Sequence, residues 1–360
     1  MIVPPETPDP QTLAPWLQQH IQGFRGPLTI APLRGGQSNP TFRLSTPTAD
    51  YVLRRKPFGD LLPSAHAVER EYRVMRALQG SAVPVPVVHA LCEDRSIVGT
   101  TFYVMDFVAG RVFADSRMPG LAAAERSGLF DAMNVAIAAL HSIDPARVGL
   151  EDFGRAGNYV ERQIARWSKQ YRASVTQPIE EMEQIIEWLS ARLPADRGGR
   201  IVHGDYKVDN ILFHPSERRV LAVLDWELAT IGDPLADFAY HLMAWHLEAD
   251  LFRGWAGENL TALGIPSERS YADAYAARTG IDQDTDWRFY LVFSMFRLAA
   301  ILQGIARRAE AGNAADSDAA DVGRRAVPVA QRAWQLANSQ AAAQRGRPSP
   351  PATDRLEEPP

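Results

Sequence analysis

The sequence predicts an α+β protein of two lobes, a β-rich first third followed by a mainly helical remainder. Three observations predict it. From Leu28 to Val108, short runs rich in β-branched and aromatic residues are separated by Gly, Pro, Asn and Asp. After Gly110 the apolar residues fall at helical spacing over long stretches. One island of strand signal, Arg200–Leu224, interrupts those helices and carries the densest set of polar residues. A chain of 360 residues has room for one large domain or two ordinary ones, at roughly 100–200 residues each.

Taken in order, a short helical stretch near Pro15–Ile21 precedes strands at Thr29–Leu33, Thr41–Ser45 and Tyr51–Lys56. A helix follows over Ser64–Gln79, with Ser64 behind Pro63 as its N-cap. Val83–Cys92 and Thr101–Val108 read as further strands. Helices are expected near 121–142, 157–192, 233–248 and 285–310. The division is a first lobe at 1–105, a hinge at 106–112, a helical lobe at 113–340 and a flexible tail at 341–360.

Composition excludes several classes. With 46% apolar and 22% charged residues the chain is not mostly disordered. A net charge of -5 argues against nucleic acid as partner, because phosphate backbones require a basic face. The single cysteine, Cys92, excludes a disulfide framework and a multi-cysteine zinc site. Met1–Pro10 has no basic stretch followed by an apolar run, so it does not read as a signal peptide. The apolar segment Phe289–Ile305 is cut by Arg297 and falls short of the ~20 residues a membrane span needs. These features lead to an expectation of a cytoplasmic protein without a membrane partner.

The chemistry concentrates in His203-Gly204-Asp205-Tyr206-Lys207-Val208-Asp209-Asn210, between the apolar Ile201-Val202 and Ile211-Leu212-Phe213. Phosphoryl transfer needs a carboxylate to orient the attacking hydroxyl and a neutral oxygen to help hold Mg²⁺, and Asp205 and Asn210 are of those types. A second strand, Val220–Leu224, ends in Asp225-Trp226-Glu227. The turn-rich 214–219 lets Ile211–Phe213 and Val220–Leu224 pair as a hairpin. The two ends of a hairpin are neighbours, so Asn210 and Asp225 are expected side by side, as ligands of one hard cation should be. A hairpin with merely polar ends is the plain alternative.

Other segments point the same way. Leu33-Arg34-Gly35-Gly36-Gln37-Ser38-Asn39 would let backbone N–H groups approach phosphate oxygens, although a Gly-Gly pair is more often an ordinary turn. Alternation puts Val52, Arg54 and Lys56 on one face of their strand, opposite Tyr51 and Leu53. In the following helix Val68, Tyr72, Met75 and Leu78 form an apolar stripe; Glu71 lies within it and Glu69 points away. A buried carboxylate needs a partner, and Arg54 or Lys56 is the candidate for Glu71.

Together these residues resemble the aminoglycoside phosphotransferase and choline kinase superfamily, whose fold is protein-kinase-like, and especially the kinase-like domain fused to some acyl-CoA dehydrogenases. The resemblance runs from about residue 28 to about 335, and His203-Gly204-Asp205 through Asn210 with Asp225 is its most specific part. It implies ATP and Mg²⁺ as cofactors and a small-molecule hydroxyl as phosphate acceptor. It implies Asp205 as catalytic base or hydroxyl-orienting group, with Lys207 beside it steadying the transferred group. Asn210 and Asp225 become metal ligands, with Glu227 as a further candidate. Gly36, Gln37, Ser38 and Asn39 would cover the triphosphate, Val52 would lie under the base, Arg54 would bind phosphate, and Glu71 would hold Arg54. Met105 becomes the residue at the back of the base pocket, with the backbone of Asp106 and Val108 bonding adenine. His203 and Asp237 would brace the catalytic loop.

The chain departs from the family's pattern twice, with Arg54 where many kinases have Lys and Lys207 where many relatives have His. Arg keeps the charge but is forked and planar, so Lys56 is a second candidate for the phosphates. For the acceptor, the seven acids against one base between Asp225 and Leu260 would suit a cation such as an aminoglycoside or amino alcohol. The dehydrogenase-fused resemblance implies instead a hydroxyacyl group or its CoA thioester. A nucleotide-binding pseudokinase is the remaining reading, and the oligomeric state is left open.

Overall fold

The computed structural model describes residues 6–33, 39–59, 66–155, 157–282, 285–312 and 318–345. Helix α1 (Pro10–His20) leads into β1 (Thr29–Pro32), β2 (Thr41–Ser45) and β3 (Asp50–Arg55). After α2 (Val68–Leu78) come β4 (Val88–Cys92), the single turn α3 (Arg95–Val98) and β5 (Phe102–Asp106). The five strands form one antiparallel sheet in the order β1-β2-β3-β5-β4. Alternation sorts its two faces as expected: Phe42, Leu44, Leu53 and Phe102 pack outward against Leu13 and Leu17 of α1, while Val52 and Arg54 face the second lobe.

Helix α2 begins at Val68 with Ala67 in the cap position, later than the Ser64 start expected; Ser64 lies outside the described residues. Its buried stripe contains Val68, Val74, Met75 and Leu78 with Glu71, and Tyr72 is only partly covered. This stripe joins the core of the second lobe, not the one under α1. Arg70 of α2 donates to the carbonyls of Phe153 (2.7 Å) and Ala229 (3.3 Å), and Arg73 donates to the Gly149 carbonyl and pairs with Asp152.

The second lobe is built from α4 (Ala123–Ser142), α5 (Tyr159–Ser174) and α6 (Glu180–Ser190), so the stretch expected to be helical over 157–192 is two helices broken around Pro178. Next come β6 (Arg200–Val202), β7 (Ile211–Phe213), β8 (Val220–Val223) and β9 (Thr230–Gly232). The remainder is α7 (Pro234–Leu242), the short α8 (Ala249–Phe252) and α9 (Leu260–Leu263), α10 (Glu268–Thr279), α11 (Trp287–Glu310), α12 (Ala319–Arg324) and α13 (Ala326–Arg345). Helix α13 runs past residue 340, so the expected start of a tail falls inside a helix.

Helix α11 corrects the estimate from Phe289–Ile305. Among the described residues it is the one helix long and apolar enough to cross a membrane, by length and composition. Yet 78% of its apolar window is buried inside the protein, between α5, α7, α12 and α13. It is the central core helix of the lobe.

Candidate active site

The hairpin expected from the sequence is present. Strands β7 and β8 pair with Ile211 opposite Val223, and the Leu224 N–H donates to the Asn210 carbonyl at 2.8 Å, which brings Asn210 beside Asp225. The hinge is stitched to the same hairpin by reciprocal bonds between Arg111 and Phe213 (2.8 and 2.9 Å). Gly110 is required there, because a Cβ at this position would sit 2.6 Å from the Phe213 carbonyl oxygen.

Asp205 stands at the centre of the loop. Its Oδ2 receives Lys207 Nζ at 2.7 Å and Asn210 Nδ2 at 3.0 Å. Asn210 Nδ2 also donates to the Asp205 carbonyl at 2.8 Å, so both amide hydrogens are spent on Asp205 and its Oδ1 is left for another ligand. Gly204 has φ +83°, and a Cβ there would meet the Leu228 carbonyl oxygen at 2.8 Å. The loop backbone is fixed by Asp237 on α7, whose carboxylate accepts from the N–H groups of His203 (2.7 Å) and Gly204 (2.8 Å) and contacts His141 at 3.1 Å. Burial acts to raise the Asp237 pKa, but the hydrogen bond and charge of His141 and the His203 amide hold it below the ordinary carboxylate value. His203 Nε2 contacts the Leu224 carbonyl at 2.9 Å, tying the loop to the strand that presents Asp225.

Across the cleft, Arg54 Nε lies 2.9 Å from Glu71 Oε2 and its Nη2 lies 3.0 Å from Asp225 Oδ1 and 3.9 Å from Glu227. The pair expected from the helix stripe is therefore formed. Glu71 is 1% exposed, and burial pushes its pKa up to about 7 against the opposing charge of Arg54. Burial works against the charge of Arg54 too, but the anions around it, Glu71 first, raise its pKa above the ordinary value and keep it charged. Asp225 has φ +66°, a left-handed conformation that costs a non-glycine residue about 1–3 kcal/mol and so marks a position fixed by its surroundings.

Two candidates are placed elsewhere. Lys56 points to Glu69 at 2.8 Å and is absent from the described lining of the cleft, which Arg54 lines. Asn39 is fully buried; its Nδ2 donates to Glu71 Oε1 at 2.9 Å and its Oδ1 contacts His66 at 3.1 Å. It thereby supplies a donor to one Glu71 oxygen while Arg54 and Tyr103 face the other. Gly36, Gln37 and Ser38 lie outside the described residues.

The remaining candidates gather on one cleft of about 1040 Å³ between the lobes, lined by Val52, Arg54, Met105, Asp106, Val108, Asp205, Lys207, Asn210, Asp225 and Glu227. The Asp106 N–H is spent on the Val87 carbonyl (2.8 Å), which leaves its carbonyl for a base, and its carboxylate is held by His89 at 2.6 Å. Among the described residues no three His, Cys, Asp or Glu converge as a metal cluster. Asn210 Oδ1 with Asp225 is a sparse pair of oxygen donors, which would fit Mg²⁺, a cation that needs only one or two protein ligands.

Sequence reasoning missed Arg297 on α11, whose Nη2 donates to the Gly204 carbonyl at 2.8 Å. A lone cation inside a buried apolar helix must have a partner, and that was its available signal. Tyr240 of α7 lines the same cleft, and its hydroxyl is pushed upward in pKa by burial first and then by the Asp205 anion.

A sheet lobe hinged to a helical lobe, with a braced Asp–Asn loop facing a cation held by a buried carboxylate, defines a phosphotransferase of kinase-like fold. The chain belongs to the phosphotransferase enzyme family, whose model matches residues 29–290. It is 43% identical to acyl-CoA dehydrogenase family member 10 of Mus musculus, over 90% of this chain and 31% of that protein. It is 41% identical to family member 11 of Rattus norvegicus, over 93% of this chain and 44% of that one, so it spans less than half of these relatives. A crystal structure from Ralstonia eutropha, assigned to the aminoglycoside phosphotransferases, is 50% identical with a TM-score of 0.86, covering 93% of this chain and 99% of that one. Choline kinase from Cryptosporidium parvum shares the fold at 11% identity and a TM-score of 0.65, covering 93% and 97%.

Proposed function

We propose that this chain transfers the γ-phosphoryl group of ATP to a hydroxyl of a small molecule, and that the acceptor is a hydroxyacyl group or its CoA thioester. The observation that carries the reaction is the convergence of Asp205, Asn210, Asp225 and Arg54 on one cleft. The acceptor oxygen attacks the γ-phosphorus, the bond to the β–γ bridging oxygen breaks, and ADP leaves. Asp205 orients the hydroxyl and takes its proton, while Lys207 and Arg54 offset charge on the phosphates. Asn210 and Asp225 would hold Mg²⁺, which neutralises phosphate charge when bound; Glu227 lies near enough to support that set. In this chemistry the protein supplies position and charge, at turnovers of roughly 1–100 per second.

The lining beyond Asp205 supports the acyl reading. Leu251, Phe252, Ile301, Ile305 and Val322 form an apolar wall, with Arg325 on it. Of the seven acids between Asp225 and Leu260, Asp225 and Glu227 are the ones in the described lining; Asp233 is buried as the cap of α7 and Asp237 as the loop brace. The other acids of the lining are already engaged, Asp205 by Lys207, Asp209 by Arg253, Glu71 by Arg54 and Asp106 by His89, so beyond Asp225 and Glu227 a polycationic acceptor would find little negative charge to bind there. The dehydrogenase names of the relatives point in the same direction. A cytoplasmic location belongs to the same proposal.

The test is label transfer from γ-labelled ATP, with Mg²⁺, into separate pools of hydroxyacyl-CoAs, hydroxy acids, amino alcohols and aminoglycosides. Transfer into the acyl pools that disappears in Asp205→Ala is the expected result. Transfer into aminoglycosides or amino alcohols alone would overturn the acceptor, and nucleotide binding without transfer to any pool or to water would leave the pseudokinase reading in its place.

A further inference from the structure

The geometry points to Arg297 as a positioning residue of the catalytic loop, acting on Asp205 through the Gly204 peptide while its guanidinium rests on Tyr240. The inference rests on the reading of Asp205 as the group that handles the acceptor's proton. The Gly204 carbonyl belongs to the peptide that enters Asp205, so its direction sets where the Asp205 side chain starts. Arg297 Nη2 holds that carbonyl at 2.8 Å from one side. Asp237 holds the N–H groups of His203 and Gly204 from the other, at 2.7 and 2.8 Å. Asp237 thus fixes the two preceding peptides, while the Gly204–Asp205 peptide is held at its carbonyl by Arg297 and at its N–H by His203 Nδ1 at 3.2 Å, and Gly204 between them is committed to a left-handed conformation at φ +83°.

The other contacts of Arg297 are with aromatic rings. The Arg297 guanidinium carbon lies 5.0 Å from the centroid of Tyr240 and 5.7 Å from that of Trp167, which places it over both rings. Tyr240 lines the same cleft as Asp205. Lys207 and Asn210 bind Asp205 Oδ2. Arg297 therefore also fixes a ring on the wall of the cleft in which this carboxylate stands. Among the described residues Arg297 has no ion-pair partner, its Nε is buried without a hydrogen bond, and it lines the cleft. A cation placed in an apolar core helix without a carboxylate is costly unless its site uses it. Here the charge serves a carbonyl and two ring faces at the point where the loop turns toward substrate.

Lysine cannot reproduce this arrangement, because an ammonium has no planar face to stack while it donates. Arg297→Lys and Arg297→Gln, with Tyr240→Leu and the double variant Arg297→Lys/Tyr240→Leu, are compared with the wild type. Phosphoryl transfer from Mg·ATP is measured to a hydroxyacyl-CoA and, as basal phosphate release, to water. The expected result is a fall in kcat of roughly 10- to 100-fold in both Arg297 variants, with KM for ATP within about twofold. The double variant should fall by less than the product of the single effects, since both changes undo the same stacked contact. A fall in kcat matched by the loss of folded protein in urea, or strictly multiplicative effects, would overturn the proposal. Wild-type transfer that is lost in Asp205→Ala and untouched in the Arg297 variants overturns this inference alone. Wild type that releases no phosphate to either acceptor overturns the reading of Asp205, and this inference with it.

Discussion

Replacing Glu71 with glutamine isolates the cost of one buried charge. Glu71 is 1% exposed, and its pKa rises from 4.5 to about 7 because burial outweighs the pull of Arg54, with Asp225 and Glu227 adding to the rise. Between those two values the native protein holds a proton that the unfolded chain has released, so stability falls as pH rises through the window. The full difference corresponds to roughly 3 kcal/mol, which wild type carries as a penalty at pH 8 and almost escapes below pH 4.5. Glutamine has the same shape. It can keep its oxygen toward Arg54 and Tyr103, and a half-turn of the Asn39 amide satisfies the new N–H₂. Urea unfolding of both proteins from pH 5 to pH 8 should show the variant gaining on the wild type with pH, by less than about 1 kcal/mol at pH 5 and by roughly 3 kcal/mol at pH 8. Transfer activity should fall roughly tenfold, because Arg54 loses the charge that fixes it. A difference that does not change with pH, or a glutamine variant less stable than wild type at pH 8, would refute the reasoning.

Three other outcomes follow from the same geometry. His241 is buried beside the Tyr271 hydroxyl at 3.2 Å, and burial lowers its pKa from 6.5 to about 3. Its contribution is intact above pH 6.5 and is lost as pH falls, on the order of 3 kcal/mol by pH 4.5, so His241→Asn should flatten acid unfolding followed by circular dichroism. Asp237→Ala leaves two loop N–H groups and His141 without their partner and should cost about 3–5 kcal/mol in urea unfolding. Lys56→Ala breaks a partly exposed pair with Glu69 and should change stability by less than about 1 kcal/mol, with KM for ATP within about twofold, whereas Arg54→Ala should raise that KM at least tenfold.

How much of this was legible in the sequence depended on whether the signal was local. The hairpin that joins Asn210 to Asp225 could be read because its strands and turn are contiguous. The Arg54–Glu71 pair could be read because two periodicities, 2.0 and 3.6, put both side chains on inward faces. Lys56 shares its strand face with Arg54 but stands at the end of the strand, where Glu69 on the nearer turn of α2 takes it; alternation carries no information about distance from the cleft. Asn39 read as a loop residue, and its burial follows from a contact 32 positions away that no local pattern encodes. Strand β9 has three residues and ends in Gly232, too short to show alternation, and it forms because β6 offers an unpaired edge. Arg297 was visible as an interruption of an apolar run, but its target 93 residues earlier was not.

The attachment of α2 has a mechanical consequence. Its apolar stripe is continuous with the large lobe, and Arg70 and Arg73 rivet it to backbone carbonyls there. The sheet is joined to that lobe by the strip at 106–112 and, ahead of β4, by the Val223 N–H on the Pro84 carbonyl, and α2 also packs on β4 and β5. Were the cleft to widen with the sheet turning against α2, Arg54 would ride on one part and Glu71 on the other. The 2.9 Å contact between them would then behave as a latch whose length reports the opening angle. A pair of spectroscopic labels, one on the outer face of the sheet and one on the exposed side of α2, would register that stroke as a change in separation.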